Sequence, residues 1–366
     1  MKKIIIISGA NLFGGGPLSI IQDCLRYLDQ DLSTKFRIIA LVYNTKDYEN
    51  YKNIEFHEII GMRKSYLHRL YYEYIAYKKI SAQLKPYLWL SLNDISSNII
   101  AERRAVYCHS PSPFKKLALS DLVEQTPIFF HTLLYKFLYR INIHKNDYVI
   151  VQQGWIKKRF IEMFNLRNEK VIIAPPQINS VHLNEIKIQE SSLTQFCFPT
   201  MSRPFKNIEV IGEAVRILTA RQITNFNVTV TVDGSENGYA KKILSKYGDL
   251  KELNLIGKIT REEVFNLYQK SDCLIFPSLL ETWGLPISEF KILNKPILLA
   301  DLPYAHETLG EYQYGVFFNP KDANELAKQM ELIINNATKF THHQAIPLQP
   351  PIANSWDQLF KILLSN

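Results

Sequence analysis

The 366-residue chain has no long hydrophobic run and few of the residues that mark disordered proteins. No apolar stretch approaches the roughly 18–20 residues that cross a bilayer, and Ile4–Ile7 is too short for the core of a signal peptide. Its 14 glycines and 17 prolines are too few for collagen-like or linker-like sequence. We therefore expect a folded, cytoplasmic protein, and the length favours two domains.

The sequence also lacks any CxxC pair. Its cysteines are widely spaced and lie in apolar surroundings: Cys24, Cys108, Cys197 and Cys273. This pattern favours buried reduced thiols over disulfides or zinc ligands. We expect no metal site.

Acidic residues are scarce in the first half of the chain. Residues 1–175 contain 25 Lys and Arg against 15 Asp and Glu, and the remainder contains 18 against 20. A basic excess attracts nucleic acid, anionic lipid or phosphorylated substrate, and charge alone does not choose among them. No RNA-binding motif accompanies the charge, so we expect no nucleic acid partner.

Short apolar runs alternate with helical patterns along the whole chain. In the first half they are Lys3–Ser8, Phe36–Tyr43, Arg104–Cys108, Tyr148–Gln152 and Val171–Ala174. The alternation breaks from Pro175 to Ser192 and then restarts, which predicts two parallel sheets wrapped by helices. We expect an α/β protein with two Rossmann-like domains facing across a cleft: residues 1–176 with the C-terminal helix 353–366, and residues 190–350. Open α/β sheets bind ligands where the carboxyl ends of their strands meet.

The strongest local motif lies between Glu281 and Glu289. Pro286 suits the start of a helix, so the free N–H groups around Trp283, Gly284 and Leu285 can hold a phosphate. Carboxylates only accept hydrogen bonds and suit ribose or sugar hydroxyls. The alternative is that both glutamates merely complement the helix dipole.

Arg203 and Lys206 lie between a strand and a helix that Asn207 is predicted to cap. Cations are unfavourable beside a helix N-terminus unless an anion lies between them, so this placement predicts a diphosphate ligand. A solvated basic loop is the alternative.

Two further candidates lie in the first half. Gly15 and Gly16 follow the first strand and open a helix, but their loop matches neither GxGxxG nor the Walker A motif, which disfavours a nicotinamide dehydrogenase. They serve either a ligand or a plain turn. His109 follows a strand and faces the expected cleft, where it could bond a reacting group or simply be structural.

Two basic segments, Arg63–Lys85 and Pro127–Lys145, interleave cations with aromatic and aliphatic residues. Both fit a helix lying on an anionic membrane surface. They equally fit ordinary helices packed on the sheet with extended lysine stems.

Taken together, the motifs resemble the retaining glycosyltransferases of family four, which have the GT-B fold. The resemblance rests on the order of short motifs from Phe196 to Phe318: Gly257-Lys258-Ile259, Asp272 to Ser278, Glu281 to Pro286, Glu289 and Lys295-Pro296-Ile297. Asn294 stands where that family commonly has glycine.

The resemblance implies roles for the candidate residues. Glu281 would contact the donor sugar, Glu289 the ribose, and Ile259 the base through its backbone. Arg203 and Lys206 would hold the diphosphate. Gly15 and Gly16 would match the family's glycine loop, and His109 its histidine near the donor sugar.

The activity implied is transfer of a sugar from a nucleotide-diphosphate donor to a glycan hydroxyl, with retention and without a metal or other cofactor. The basic first domain suggests a lipid-diphosphate-linked acceptor in bacterial O-antigen or capsule assembly, with the enzyme peripheral on the inner membrane face. The alternatives are a non-hydrolysing nucleotide-sugar epimerase of the same architecture, and a binding module without catalysis.

Overall fold

In a computed structural model, the described residues are 2–12, 15–110, 112–114, 135, 137–177 and 192–365. The chain forms two compact units. The first comprises Met1–Gln177 together with Leu348–Asn366, and the second comprises Ile178–Pro347.

The first unit is built on a seven-stranded parallel sheet with the order β3-β2-β1-β4-β5-β6-β7. Ile5, Ile6 and Ile7 are fully buried, because helices cover both faces of a parallel sheet and β-branched side chains suit both. The strands are β1 Lys3–Ser8, β2 Phe36–Val42, β3 Ile54–Glu58, β4 Leu88–Ser91, β5 Arg103–Cys108, β6 Tyr148–Val151 and β7 Val171–Ile173.

The main helices of this unit are α1 Gly15–Tyr27, α2 Tyr66–Tyr71, α3 Tyr77–Leu84 and α4 Gly154–Phe164. A π-helical turn, Tyr72–Ala76, joins α2 to α3 without a break. Gly15 and Gly16 are the first two residues of α1, so they form the helix start itself.

The second unit is built on a six-stranded parallel sheet with the order β10-β9-β8-β11-β12-β13. Its strands are β8 Thr194–Phe198, β9 Phe226–Val230, β10 Leu253–Leu255, β11 Cys273–Phe276, β12 Ile297–Ala300 and β13 Gly315–Phe318. Its helices are α5 Ile208–Ala220, α6 Gly238–Tyr247, α7 Arg261–Lys270, α8 Leu285–Lys291, α9 Pro303–Leu309 and α10 Ala323–Ile334. The chain order changes direction between β8 and β11, which is where open parallel sheets bind ligands.

The last helix, α11 Trp356–Leu364, belongs to the first unit. Phe360 stacks on Tyr27 of α1 with ring centroids 5.6 Å apart. Arg103 in β5 donates a hydrogen bond of 3.0 Å to the carbonyl of Leu363. The expected fold class is therefore confirmed: two parallel-sheet α/β units, with the C-terminal helix returning to the first.

All four cysteines are buried, as predicted. Burial raises the pKa of each thiol, which keeps the sulfur protonated and unreactive. Across the described residues, we find no helix that combines the length and the apolar character needed to span a membrane.

Candidate functional site

The loops that follow β8 and β11 meet at the point where the strand order of the second sheet reverses. The amide of Leu279 donates to the carbonyl of Phe205 over 2.7 Å, which ties the two loops together. Because both loops leave the carboxyl end of the same sheet, their side chains are brought to one edge. This edge carries most of the residues that the sequence motifs single out.

Lys206 and Glu281 form an ion pair at this edge. Each side chain is only 13 % exposed, so water screens their attraction poorly. The Lys206 ammonium also lies 5.6 and 5.8 Å from the ring centroids of Phe205 and Phe276. The pair fixes one cation and one carboxylate side by side, a combination that can hold an anion and a hydroxyl at once.

Arg203 contributes a second cation to the same loop. Its side chain is exposed, and it makes no ion pair with any residue that the structure describes. A 3₁₀ turn, Pro204–Lys206, separates it from Lys206, so both cations belong to one short segment. Arg203 is therefore available for an anion.

Asn207 does not cap helix α5 with its side chain, contrary to the prediction. Its backbone takes the left-handed conformation, with φ of 57°. Its side-chain amide donates hydrogen bonds to the carbonyls of Pro277 and Pro320. The residue instead ties the β8 loop to the loops after β11 and β13. Asparagine tolerates this conformation better than most residues, which explains its presence.

The segment before α8 is held rigidly. Gly284 has φ of 85°, a conformation that suits glycine, and it places Leu285 as the first helical residue and Pro286 as the second. The indole N–H of Trp283 donates to Ser288 over 3.0 Å, and its carbonyl accepts from Thr308. The segment containing all three predicted phosphate-binding residues thus has a defined shape.

Glu289 lies inside α8 and is buried, with 4 % of the residue exposed. Arg261 donates to one carboxylate oxygen over 2.7 Å and the hydroxyl of Tyr268 donates to the other over 3.0 Å. Burial first, and the Glu289 charge second, raise the pKa of Tyr268 well above its usual value, so it remains a donor. The carboxylate is thereby fixed in one orientation.

Sequence reasoning missed Arg261 and Tyr268. They lie two turns apart on α7, and their shared partner becomes apparent only once α7 is packed beside α8. Ile259 is half-buried two residues before Arg261, in the loop after β10. Its loop turns at Gly257, where an added Cβ would collide with the carboxylate of Asp233.

Asn294 has φ of 53°, which explains why glycine is usual at this place in the family that the motifs resemble.

In the first unit, His109 lies at the carboxyl end of β5, where the sequence places it. It is 8 % exposed, and its Nε2 contacts the carbonyl of Leu92. Its backbone N–H and that of Ser110 donate to one oxygen of Asp94, at 2.6 and 2.9 Å, and the hydroxyl of Tyr139 donates to the same oxygen. Asp94, which sequence reasoning also missed, therefore sets the position of the histidine loop.

A buried polar cluster lies under the same edge of the first sheet. Asn93 donates to Ser8 at 3.2 Å and to Glu73 at 3.1 Å, and its side-chain oxygen accepts from the amide of Asn11. Asn11 lies shortly before the glycine start of α1 at Gly15. The cluster thus links helix α2–α3 to the segment that precedes those glycines.

Of the two basic segments, Arg63–Lys85 is helical over Tyr66–Leu84. Nine of the nineteen residues of Pro127–Lys145, including Lys136, lie outside the described residues, whereas Arg140 and His144 are described and exposed. Among the residues that the structure describes, no three His, Cys, Asp or Glu side chains are grouped so that they could hold a metal ion.

Residues 186–345, which are nearly the whole second unit, match the family model described as "Glycosyl transferases group 1". The matched region contains Arg203, Lys206, Glu281 and Glu289. Residues 186–345 are therefore similar to the group 1 glycosyl transferases, and the resemblance predicted from the sequence motifs is confirmed for this region.

A curated relative is the O-antigen chain mannosyltransferase RfbU of Salmonella typhimurium, 21 % identical over 223 residues. The match covers 59 % of this chain and 60 % of RfbU, less than two thirds of either.

Two solved structures share the fold. A glycosyltransferase from Rickettsia africae matches with a TM-score of 0.67 at 15 % identity, over 91 % of this chain and 88 % of that one. The UDP-GlcNAc 2-epimerase of Methanocaldococcus jannaschii matches with a TM-score of 0.56 at 13 % identity, over 100 % of both chains. The fold alone therefore does not separate transferases from epimerases.

Proposed function

We propose that the protein transfers a sugar from a nucleotide-diphosphate donor to a hydroxyl of a glycan acceptor, with retained anomeric configuration. The observation that carries the proposal is the Lys206–Glu281 pair at the reversal point of the second sheet, inside the region matched by the group 1 family model. Arg203 lies in the same loop as Lys206, so two cations and a carboxylate occupy one edge.

In this proposal the cations bind the diphosphate and stabilise the charge that develops as it leaves. Glu281 accepts hydrogen bonds from the sugar. Glu289 accepts hydrogen bonds from the ribose hydroxyls after the exposed Arg261 side chain moves away from the carboxylate. Ile259 contacts the base through its backbone, and the amides from Trp283 to Leu285 approach the phosphates. Because these groups supply the electrostatic stabilisation, the mechanism uses no metal and no cofactor besides the nucleotide-sugar substrate.

We assign the acceptor to the first unit. The acceptor hydroxyl attacks from the side of the leaving group, and its proton passes to the departing diphosphate. The basic first unit favours an anionic, lipid-diphosphate-linked glycan, with the enzyme peripheral on the inner membrane face. RfbU, an O-antigen mannosyltransferase, supports bacterial O-antigen or capsule assembly as the process.

A panel of nucleoside diphosphates tests the donor site. The true nucleotide at a hundredfold excess over its Kd should stabilise the fold by about 2.7 kcal/mol, so one diphosphate should raise the melting temperature above the others. Lys206→Ala should abolish that rise, whereas Lys328→Ala, an exposed lysine on α10, should retain it. If no diphosphate changes the melting temperature, the assignment of the donor site is wrong.

The nucleotide sugar that corresponds to the stabilising diphosphate then tests the reaction. Incubated with a glycan acceptor, it should yield a glycoside of unchanged anomeric configuration by NMR. The fold match with an epimerase makes isomerisation the second candidate. Appearance of an epimerised nucleotide sugar without acceptor would support that candidate and overturn transfer.

A further inference from the structure

The helical segment Tyr66–Leu84 buries a row of largely polar residues and turns an apolar stripe outward. Helices that pack on a sheet usually bury apolar residues and expose charged ones. Here the buried positions, each four residues apart, are Arg69, Glu73, Tyr77 and Ser81, with 0 to 6 % exposure. The outward positions, also four apart, are Leu67, Tyr71 and Ile75.

The buried face fixes the orientation of this helix. Arg69 donates to the hydroxyl of Tyr135 over 2.6 Å and to the carbonyl of Asn93 over 2.7 Å. Glu73 accepts hydrogen bonds from Asn93 and Ser97. Rotating the helix to bury its apolar face would break all of these bonds and leave buried charges without partners.

The outward face combines an apolar stripe with lysines. Leu67 is 77 % exposed, Tyr71 47 % and Ile75 49 %. Lys64, Lys78 and Lys79 flank the stripe and are exposed. We call this surface the apolar-basic face and define it by these six residues.

The charge on this face is of one sign. Between Glu58 and Asp94 the sequence contains a single acidic residue, Glu73, and that residue is buried. No carboxylate from this stretch therefore offsets the lysines. Residues 1–175 as a whole also contain more basic than acidic residues, 25 against 15.

We propose that the apolar-basic face is the surface by which the first unit docks onto an anionic lipid bilayer. Leu67, Tyr71 and Ile75 enter the boundary between headgroups and acyl chains, while the lysines contact anionic headgroups. The alternative occupant is a second copy of the chain. A two-fold contact through this face would bring the lysines of both copies together, and the same stretch offers no carboxylate to compensate them. The charge therefore favours an anionic membrane over a second copy. The inference deepens the proposed function, since a lipid-linked acceptor requires the enzyme at a bilayer.

Co-sedimentation of the full chain with vesicles tests the proposal. Vesicles of equal parts phosphatidylcholine and phosphatidylglycerol should bind the protein, and pure phosphatidylcholine should not. The variant K64Q/K78Q/K79Q should lose about fivefold in partitioning for each lysine. The variant L67S/Y71S/I75S should lose tenfold or more, which corresponds to about 1.4 kcal/mol or more.

The matched control is K241Q/K242Q/L244S on helix α6 of the second unit, where an exposed leucine also stands beside exposed lysines. It should bind vesicles like the parent. Equal binding by the parent and both face variants would overturn the proposal. A dimer in sedimentation velocity that both face variants abolish, without vesicle binding by the parent, would assign the face to a second copy instead.

The assay is independent of catalysis. If the face variants transfer sugar to a water-soluble acceptor at the parent rate but fail to bind vesicles, both the docking surface and the transferase function stand. If the parent binds vesicles through this face and transfers no sugar, only the proposed function fails. The lysine variant guards against loss of folding in the serine variant, because it changes only exposed charges.

Discussion

Replacing Glu73 by glutamine is expected to remove a loss of stability that accompanies rising pH. Burial raises the pKa of the Glu73 carboxyl from an ordinary value of 4.5 to about 7. Between these two values the folded state keeps a proton that the unfolded chain has released. The unfolding free energy of the parent therefore falls as the pH rises through this range.

The rise in the pKa of Glu73 from 4.5 to about 7 corresponds to a loss of about 3 kcal/mol in unfolding free energy, at about 1.4 kcal/mol for each pKa unit. Glutamine cannot ionise, yet it fits the same contacts. Its carbonyl oxygen can accept from Asn93, which lies 3.1 Å from Glu73, and its amide can donate to Ser97. Ser97 can in turn direct its own hydrogen to Ser91, 3.0 Å away.

Urea unfolding followed by tryptophan fluorescence measures this effect, since Trp89, Trp155 and Trp356 all lie in the first unit. Between about pH 5 and about pH 8, the stability of Glu73→Gln relative to the parent should rise by roughly 2–3 kcal/mol. The exposed Glu102→Gln, which removes a carboxylate from the surface of the same unit, is the matched control. A constant difference for Glu73→Gln, or one that grows toward low pH, would refute the reasoning.

Three substitutions test the second unit. Lys206→Ala should lower the unfolding free energy by about 1–3 kcal/mol, because it leaves the largely buried carboxylate of Glu281 without a cation. Additive effects of Lys206→Ala and Glu281→Gln in a double-mutant cycle would contradict this. Glu289→Gln should weaken nucleoside diphosphate binding about tenfold in calorimetry, through loss of charge-assisted hydrogen bonds to ribose; an unchanged Kd argues against the assigned role. Gly284→Ala should cost about 1–2 kcal/mol, since φ is 85° and the new Cβ lies 3.0 Å from Ile287; an unaltered urea midpoint would disprove the strain.

The elements that the sequence predicts best are fully buried strands and cleanly capped helices. Strand Cys273–Phe276 and helix Arg261–Lys270 are elements of these two kinds. The strand is an uninterrupted apolar run buried on both faces. The helix begins at a capping box formed by Thr260 and Glu263, so a local signal marks its start.

Three strands were not predicted: Ile54–Glu58, Leu88–Ser91 and Gly315–Phe318. Strand Ile54–Glu58 lies at the end of the strand order of the first sheet, pairs with Phe36–Val42 and carries two glutamates and a histidine. Ile54 is buried, the three middle residues are partly buried and Glu58 is exposed, so the strand has no continuous apolar run. Pairing with the neighbouring strand reveals it.

The candidate site could be predicted by residue type but not by contact. Lys206 and Glu281 are 75 residues apart in sequence, and the sheet topology alone brings them together. The roles of Arg261 and Asp94 likewise depend on how neighbouring elements pack. For helix Tyr66–Leu84, hydrophobic periodicity predicts that the leucine and isoleucine stripe faces inward. The pattern does not show that the arginine and the glutamate on the opposite face find hydrogen-bond partners in the interior.

The return of the chain to the first unit determines the order in which the parts can be completed during synthesis. Ile352 bridges to Ile173 at the edge of the first sheet, and the carbonyl of Leu364 accepts a hydrogen bond from the hydroxyl of Tyr87. A ribosome therefore releases every residue of the second unit before the first unit has its last core helix. Deleting residues 348–366 would damage the half of the molecule that was translated earliest and leave the later half with its own sheet intact.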